Sequence, residues 1–152
     1  MSEYNFKEVL LKSQDAVHYM RDYFQSLGYE VYVPDLVIAP HNVGAFSKYA
    51  DQGDMFVKMD GIETKLEIKH INTRFTDSWP YKDIIVNSYT GYESKIIKPD
   101  VHILLNKYKT HYISIRKDSR PHWELGRTFD RVKQKDLLFY FVDKTHANFY
   151  TI

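Results

Sequence analysis

Residues 53–69 have the sequence GDMFVKMDGIETKLEIK and decide how the chain folds, because they predict a β-hairpin. Apolar and polar residues alternate on both sides of the dipeptide Asp60-Gly61. Such alternation is typical of a half-buried strand. An Asp-Gly dipeptide between two alternating runs is a strong signal for a two-residue hairpin turn. We therefore expect two antiparallel strands that turn at Asp60-Gly61.

This turn determines which residues of the two strands face each other. Lys58 then faces Glu63, which is an ordinary cross-strand ion pair. Asp54 faces Glu67, and like charges directly opposite each other on a sheet are destabilising. The simplest explanation for this pair is a cation between the two carboxylates. In the metal-free protein, replacing Asp54 by Asn should be neutral or stabilising, because it removes this repulsion.

The same register assigns alternate residues to two faces of the hairpin. We expect the apolar face to pack in the core, and it consists of Met55, Val57, Met59, Ile62, Thr64, Leu66 and Ile68. The opposite face consists of Asp54, Phe56, Lys58, Glu63, Lys65, Glu67 and Lys69. Without a bound metal, this second face would be an exposed sheet surface on which Lys65 and Lys69 flank Glu67.

The polar face has the residue types of a magnesium site. Mg²⁺ prefers oxygen ligands, typically one or two carboxylates together with water and substrate phosphate. Asp54 and Glu67 supply two carboxylates, and the main-chain carbonyl of Ile68 is a candidate third ligand. Such a metal can lower the pKa of a bound water and stabilise charge on a phosphoryl group. Lys69 is placed to orient or deprotonate the attacking water.

These residues resemble the motif of the PD-(D/E)XK nuclease superfamily. Gly53-Asp54 is followed after twelve residues by Glu67-Ile68-Lys69, behind an N-terminal helix. The order of elements is also similar to the αβββαβ core of this restriction-endonuclease-like fold. Gly53 stands where many members have proline.

The resemblance implies a divalent-metal-dependent endonuclease that hydrolyses DNA phosphodiester bonds, of the restriction, homing, junction-resolving or repair type. It implies that Asp54 and Glu67 bind Mg²⁺, which Mn²⁺ can replace, and that Lys69 is the catalytic lysine. Double-strand cutting with one active site per chain makes a homodimer or a higher homo-oligomer the natural assembly. Many members also place an acid on the first helix, and whether Glu8 or Asp15 has this role stays open.

Residues 5–27 predict that first helix. Apolar residues recur at helical spacing on one stripe, and Gly28 is a plausible end. The stripe consists of Phe6, Val9, Leu10, Ala16, Val17, Met20, Phe24 and Leu27. Glu8, Asp15 and Asp22 fall on the opposite face, where solvent is their simplest partner.

The rest of the chain predicts mainly strands. After a strand at 28–33 and a loop at 34–53, we expect the hairpin, a strand at 82–87, a weak helix at 88–98, and strands at 101–108 and 111–116. A last pair of strands, 137–142 and 147–152, should form across residues 143–146. This order indicates an α/β (α+β) fold with a central mixed sheet and extra C-terminal strands. We expect one domain, 1–152, with a core at about 5–116 and a basic stretch and hairpin at 117–152.

Composition excludes several classes of protein. The chain of 152 residues has no cysteine, so it has no disulfide and no thiolate zinc site. It has no apolar run long enough for a membrane span, and residues 1–5 lack the features of a signal peptide. We therefore expect a cytoplasmic protein with no membrane partner.

Charge is distributed unevenly along the chain. Residues 1–70 carry a net −4 and residues 71–152 a net +5. Residues 106–135 contain nine Lys and Arg against three acids, interleaved with aromatic residues that could stack on unpaired bases. The candidate contacts to nucleic acid are Lys48, Lys58, Arg74, Arg116, Lys117, Arg120 and Arg127. A solvated basic surface explains the same residues without a ligand.

Two other functions fit the sequence. The first is a non-catalytic module on the same fold that binds DNA or RNA without turnover. The second is a metal-free structural or interaction domain. Metal-dependent cleavage of DNA separates the nuclease from both.

Overall fold

The computed structural model describes the backbone of residues 2–34, 54–131 and 133–152, and within these ranges the side chains from residue 12 onward. Two α-helices and nine strands occur in these residues. The first part of the chain contains α1 (Ser2–Ser26), β1 (Glu30–Tyr32), β2 (Asp54–Met59), β3 (Ile62–His70), β4 (Asp83–Ser88) and α2 (Tyr89–Glu93). The second part contains β5 (Val101–Leu105), β6 (His111–Arg116), β7 (Glu124–Asp130), β8 (Lys135–Asp143) and β9 (Asn148–Thr151).

The hairpin of β2 and β3 has the register expected from its turn. Asp60 and Gly61 both have positive φ, at 52° and 80°, which is the conformation of a type I′ turn. Asp54 pairs with Glu67, and Lys58 pairs with Glu63. The local signal of alternation around Asp-Gly was therefore sufficient to predict the pairing of these strands.

Six strands form a mixed sheet in the order β1-β2-β3-β5-β6-β9. The pairing of β3 with β5 is parallel, and the other pairings in this sheet are antiparallel. The expected α+β architecture with a central mixed sheet is confirmed at this level. The loop predicted at 34–53, and Lys48 within it, lies almost entirely outside the described residues.

Helix α1 covers one face of this sheet, as its apolar stripe predicts. Ala16, Met20 and Phe24 are buried against the sheet, whereas Asp15 on the far side of the helix is exposed. The described part of the stripe is thus confirmed except at its end, where Leu27 is half exposed. Among the described residues, no helix is both long enough and apolar enough to span a membrane.

A second, three-stranded antiparallel sheet covers the other face. Its order is β4-β8-β7, and an apolar cluster joins it to the main sheet. The cluster consists of Phe75, Trp79, Ile84, Val86, Tyr92, Leu104, Ile113, Ile115, Trp123, Tyr140 and Val142. Because residues alternate along a strand, the hairpin face that carries Asp54 and Glu67 is directed towards this second sheet and away from α1. The polar face is therefore covered at Asp54, Lys65 and Glu67, whereas Lys58 and Glu63 near the turn are exposed.

The predicted hairpin of residues 137–152 is wrong, although both strands exist. β8 pairs with β4 and β7, whereas β9 pairs with β6 at the edge of the main sheet. The short 3₁₀ turn Lys144–His146, capped by the Asp143 side chain, carries the chain from one sheet to the other. β9 is held there by side-chain contacts such as the stacking of Tyr150 on Tyr112, with ring centroids 4.9 Å apart.

Two further expectations were wrong at the ends of elements. Met59 and Ile62, at the tip of the hairpin, are 42% and 69% exposed. The tip has few neighbours because β3 pairs with β5 only from Leu66 onward. The helix expected at 88–98 is a single turn, and Ile96 is 92% exposed instead of packed. Gly91 within this turn is a poor helix former, which favours an early end.

Candidate functional site

Asp54 and Glu67 lie side by side in the space between the two sheets. Each is at most 7% exposed, although carboxylates are rarely buried without partners. Met55 and Leu66, their neighbours in sequence, point to the opposite face and pack under α1. The alternation that buries these apolar side chains therefore also directs the two carboxylates to one point.

The ammonium of Lys95 occupies the position between these carboxylates. Lys95 Nζ lies 3.3 Å from Asp54 Oδ2 and 3.1 Å from Glu67 Oε1. Lys65 Nζ is a second cation for the pair, 3.4 Å from Asp54 Oδ2. The sequence predicted a metal ion between the carboxylates, and in this structure a lysine side chain lies at that position. The expectation that Asp54→Asn relieves repulsion is therefore not supported by the packing, since Asp54 has two ammonium partners.

Asn87 connects Lys69 to Glu67. Its Oδ1 accepts a hydrogen bond from Lys69 Nζ at 2.8 Å, and its Nδ2 donates to Glu67 Oε2 at 2.7 Å. The pairing of β4 with β8 shifts register between Ile85 and Asn87, and such irregularities commonly redirect a side chain. The amide of Asn87 thus determines where the Lys69 ammonium lies relative to Glu67.

His102 completes the environment of Glu67. The parallel pairing of β3 with β5 places the two residues side by side, and His102 Nε2 lies 3.0 Å from Glu67 Oε2. The imidazole is buried between the rings of Tyr92 and Trp123, with centroids 5.9 and 5.8 Å away. Glu67 is therefore held by Lys95 on one carboxylate oxygen and by Asn87 and His102 on the other.

Burial and charge shift the pKa values of these groups in different directions. Burial alone would raise the pKa of Glu67, but the Lys69 charge and the His102 hydrogen bond outweigh it and hold that pKa well below its usual range. Burial lowers the pKa of Lys69, and the nearby Glu67 charge offsets only part of this effect. Burial also lowers the pKa of His102. The site therefore combines a carboxylate whose ionised form is favoured with a lysine that releases its proton more easily than an exposed lysine does.

Asp54 and Glu67 are the side chains that could hold a hard divalent cation at this point. Two carboxylates on neighbouring strands already converge on one positive charge, and carboxylate oxygen is the ligand that Mg²⁺ prefers. Ile68, whose carbonyl is the third expected ligand, lies in β3 with its side chain buried under α1. Among the described residues, no three His, Asp or Glu side chains are grouped as metal ligands. Asp15 is exposed on α1, which covers the opposite face of the sheet, and the side chain of Glu8 lies outside the described residues.

The expected nucleic-acid contacts do not all have the same environment. Lys58, Arg74, Arg116, Lys117 and Arg127 are exposed, and Lys48 lies outside the described residues. Arg120 is half-buried, and its guanidinium lies 4.6 Å from the centre of the Tyr140 ring. It also approaches Glu93 Oε2 at 3.5 Å. This arrangement stabilises the packing between α2 and the second sheet.

Sequence reasoning did not identify Lys95, Asn87 or His102 as site residues. Lys95 lies inside the helix predicted at 88–98, whereas in the structure it follows the shorter α2, and its burial depends on where that helix ends. His102 becomes a neighbour of Glu67 only once β3 and β5 pair in parallel. One feature of the sequence could have pointed to such residues. The hairpin's polar face carries many charged side chains, and these require partners if the face is covered.

Comparison with known proteins does not assign the chain to a family. No family model matches it, and no curated protein and no solved structure shows significant similarity.

Proposed function

We propose that this protein is a divalent-metal-dependent endonuclease that hydrolyses DNA phosphodiester bonds. The observation that carries the proposal is the convergence of Asp54 and Glu67 on one cation position, with Lys69 on the same face. Ionisable groups with shifted pKa values concentrate at functional sites, and Glu67 and Lys69 are both of this kind.

The order of elements supports the same proposal. α1, β1, β2, β3, α2 and β5 follow one another as in the αβββαβ core of the PD-(D/E)XK nucleases, which the motif resembles. β4 is inserted between β3 and α2 and belongs to the second sheet. In this proposal the insertion has a use, because β4 supplies Asn87 to the site.

Each side chain of the cluster has a role in the proposed reaction. Asp54 and Glu67, with the Ile68 carbonyl, would hold Mg²⁺ or Mn²⁺. When bound, the metal would acidify a water and stabilise charge on the phosphoryl group. Lys69, whose pKa is lowered by burial, would orient or deprotonate the attacking water. Asn87 keeps the Lys69 ammonium beside Glu67.

The DNA would be held mainly through its phosphates. Lys58, Arg74, Arg116, Lys117 and Arg127 are exposed cations that suit such contacts. Because phosphate contacts release counter-ions, we expect binding to weaken steeply as salt is raised. A homodimer or larger assembly would cut both strands, since each chain supplies one site.

A cleavage assay tests the proposal directly. Supercoiled, linear and branched DNA are incubated with Mg²⁺ or with EDTA, using the wild type, Lys69→Ala and the control Lys107→Ala, which removes an exposed lysine in the β5–β6 turn. We expect cutting that requires Mg²⁺ and that falls by about 100-fold or more in Lys69→Ala. Lys107→Ala should cut like the wild type. Failure of the wild type to cut any of the three substrates with Mg²⁺ contradicts the proposal.

A second candidate is a nucleic-acid-binding module without catalysis. It is favoured by one observation, that Lys95 and Lys65 already neutralise the two carboxylates as in a structural ion-pair network. This candidate predicts salt-sensitive binding of DNA or RNA by the wild type with no cutting under any metal condition. Lys69→Ala would then leave binding unchanged.

A further inference from the structure

We propose that Lys95 occupies, in the metal-free protein, the position that the divalent cation takes, so that metal binding is an exchange with the Lys95 ammonium. This inference rests on the proposed function and concerns regulation of the same site. It assigns Lys95 a role in setting the metal affinity.

The ammonium of Lys95 lies at the point between the two carboxylates where the exchange would take place. Lys95 Nζ is 3.3 Å from Asp54 Oδ2 and 3.1 Å from Glu67 Oε1, and the residue is 4% exposed. An ion that bridged these two carboxylates would need the space that the ammonium fills. Metal and ammonium therefore exclude each other sterically.

The charges of the cluster favour the same conclusion. Three ammonium groups, those of Lys65, Lys69 and Lys95, surround the carboxylates of Asp54 and Glu67. A divalent cation added beside these ammonium groups would be repelled by them, and repulsion is strong in a buried space. Departure of one ammonium reduces this repulsion, and among the described residues Lys95 is the lysine that contacts both carboxylates.

Lys95 lies in a segment of the chain that is close to solvent. Lys95 follows the one-turn helix α2, and its exposed neighbours Ile96 and Ile97 show that this segment lies at the surface. The backbone of this segment is anchored to the sheet, because Lys65 Nζ of β3 donates a hydrogen bond to the Ile97 carbonyl at 2.8 Å. In the proposed exchange, rotation of the Lys95 side chain moves its charge towards this surface.

A labelling experiment on the wild-type protein tests the exchange. Lysines are acetylated with an amine-reactive ester, with and without saturating MnCl₂ and without DNA, and each site is quantified by mass spectrometry. We expect Lys95 to be protected without Mn²⁺ and to become as reactive as the exposed Lys107 when Mn²⁺ is bound. Lys107 should react equally in both conditions. Continued protection of Lys95 at saturating Mn²⁺ overturns the inference.

A binding experiment gives an independent readout. Mn²⁺ affinity is measured by electron paramagnetic resonance of the free ion for the wild type, Lys95→Gln and the control Lys107→Gln. Removing the Lys95 ammonium, which competes with the metal, should tighten Mn²⁺ binding by about tenfold or more, since the coupling energies of close buried charge pairs correspond to at least such a factor. Lys107→Gln should bind like the wild type.

The outcomes separate this inference from the proposed function. Tighter binding by Lys95→Gln, lost again when Asp54→Asn is added, supports the exchange. Equal or weaker binding by folded Lys95→Gln contradicts the exchange, while metal-dependent cutting by the wild type would still stand. Tight binding by Lys95→Gln combined with no cutting of any DNA supports the exchange and contradicts the nuclease.

Discussion

At the residue scale, Asp54 depends on its two ammonium partners. Asp54→Asn would leave Lys65 and Lys95 facing a neutral amide in a buried space. Because the removal of one carboxylate weakens the compensation of two buried ammonium charges, we expect the free energy of unfolding to fall by about 3 kcal/mol. Urea denaturation of the metal-free protein measures this change.

The matched control is Asp118→Asn, which removes the partner of Arg116 in an exposed ion pair. Such surface pairs contribute at most about 1 kcal/mol, so this variant should resemble the wild type. An Asp54→Asn protein that is as stable as the wild type, or more stable, would show that repulsion from Glu67 dominates after all.

Asn87 holds two functional groups with one amide. Asn87→Ala removes the acceptor of Lys69 Nζ and the donor to Glu67 Oε2, and it leaves both groups in a largely buried space. We expect a loss of stability of about 2–3 kcal/mol, because unsatisfied buried polar groups carry a desolvation penalty. In the proposed enzyme, cleavage should fall in parallel. Asn148→Ala, at an exposed position of β9, is the control in thermal unfolding and should be neutral.

His102 predicts a pH dependence of stability. Its pKa in the folded protein is lowered from 6.5 by burial, so below pH 6.5 the unfolded chain takes up a proton that native His102 resists. The contribution of neutral His102 to the free energy of unfolding is therefore complete above pH 6.5 and is lost as pH falls towards the folded-state pKa. We expect the free energy of unfolding, measured by denaturation at pH 7.5, 6.5 and 5.5, to decline less for His102→Gln than for the wild type. Burial also lowers the pKa of His70. Because His70 is present in both proteins, its contribution to the pH dependence cancels in the comparison.

At the element scale, the turn of the β2–β3 hairpin determines the register of the site. Gly61 has φ near 80°, a conformation that β-branched residues strongly resist. Gly61→Val should therefore lower stability by about 1–2 kcal/mol, measured by thermal unfolding. Gly61→Asn is the control, because Asn tolerates this conformation better. Equal stability of the two variants would show that the turn does not impose the register.

At the scale of the whole molecule, the C-terminal strand closes the main sheet. β9 covers the edge of β6, and Phe149 reaches the apolar cluster between the sheets. Removing residues 147–152 should expose the β6 edge, lower the melting temperature and promote aggregation, because unpaired edges recruit other chains.

Hydrogen exchange checks this architecture strand by strand. Amides of residues 111–114 that bond to β9 should lose protection in the truncated protein, whereas those of Lys135–Asp143 should keep it, since β8 pairs with β4 and β7. Loss of protection in both segments to the same extent would contradict the separate placement of β8 and β9.

The sequence by itself determined the features that depend on neighbouring residues. Period-two alternation around Asp60-Gly61 predicted the hairpin and its register, and helical spacing predicted α1 and the face that it buries. These signals are reliable because backbone geometry places residues two apart on a strand, or three and four apart on a helix, on the same side.

Only the tertiary structure decided what surrounds the two carboxylates. Lys95, Asn87 and His102 reach Glu67 from three separate segments, and β8 and β9 separate into different sheets although four residues join them. Such placements depend on which long-range strand pairings bury the most apolar surface across the whole chain. Local periodicity does not indicate which of the alternative pairings this is. The sequence thus specified that Asp54 and Glu67 face each other, and the packing of the second sheet and α2 decided that the Lys95 ammonium lies between them.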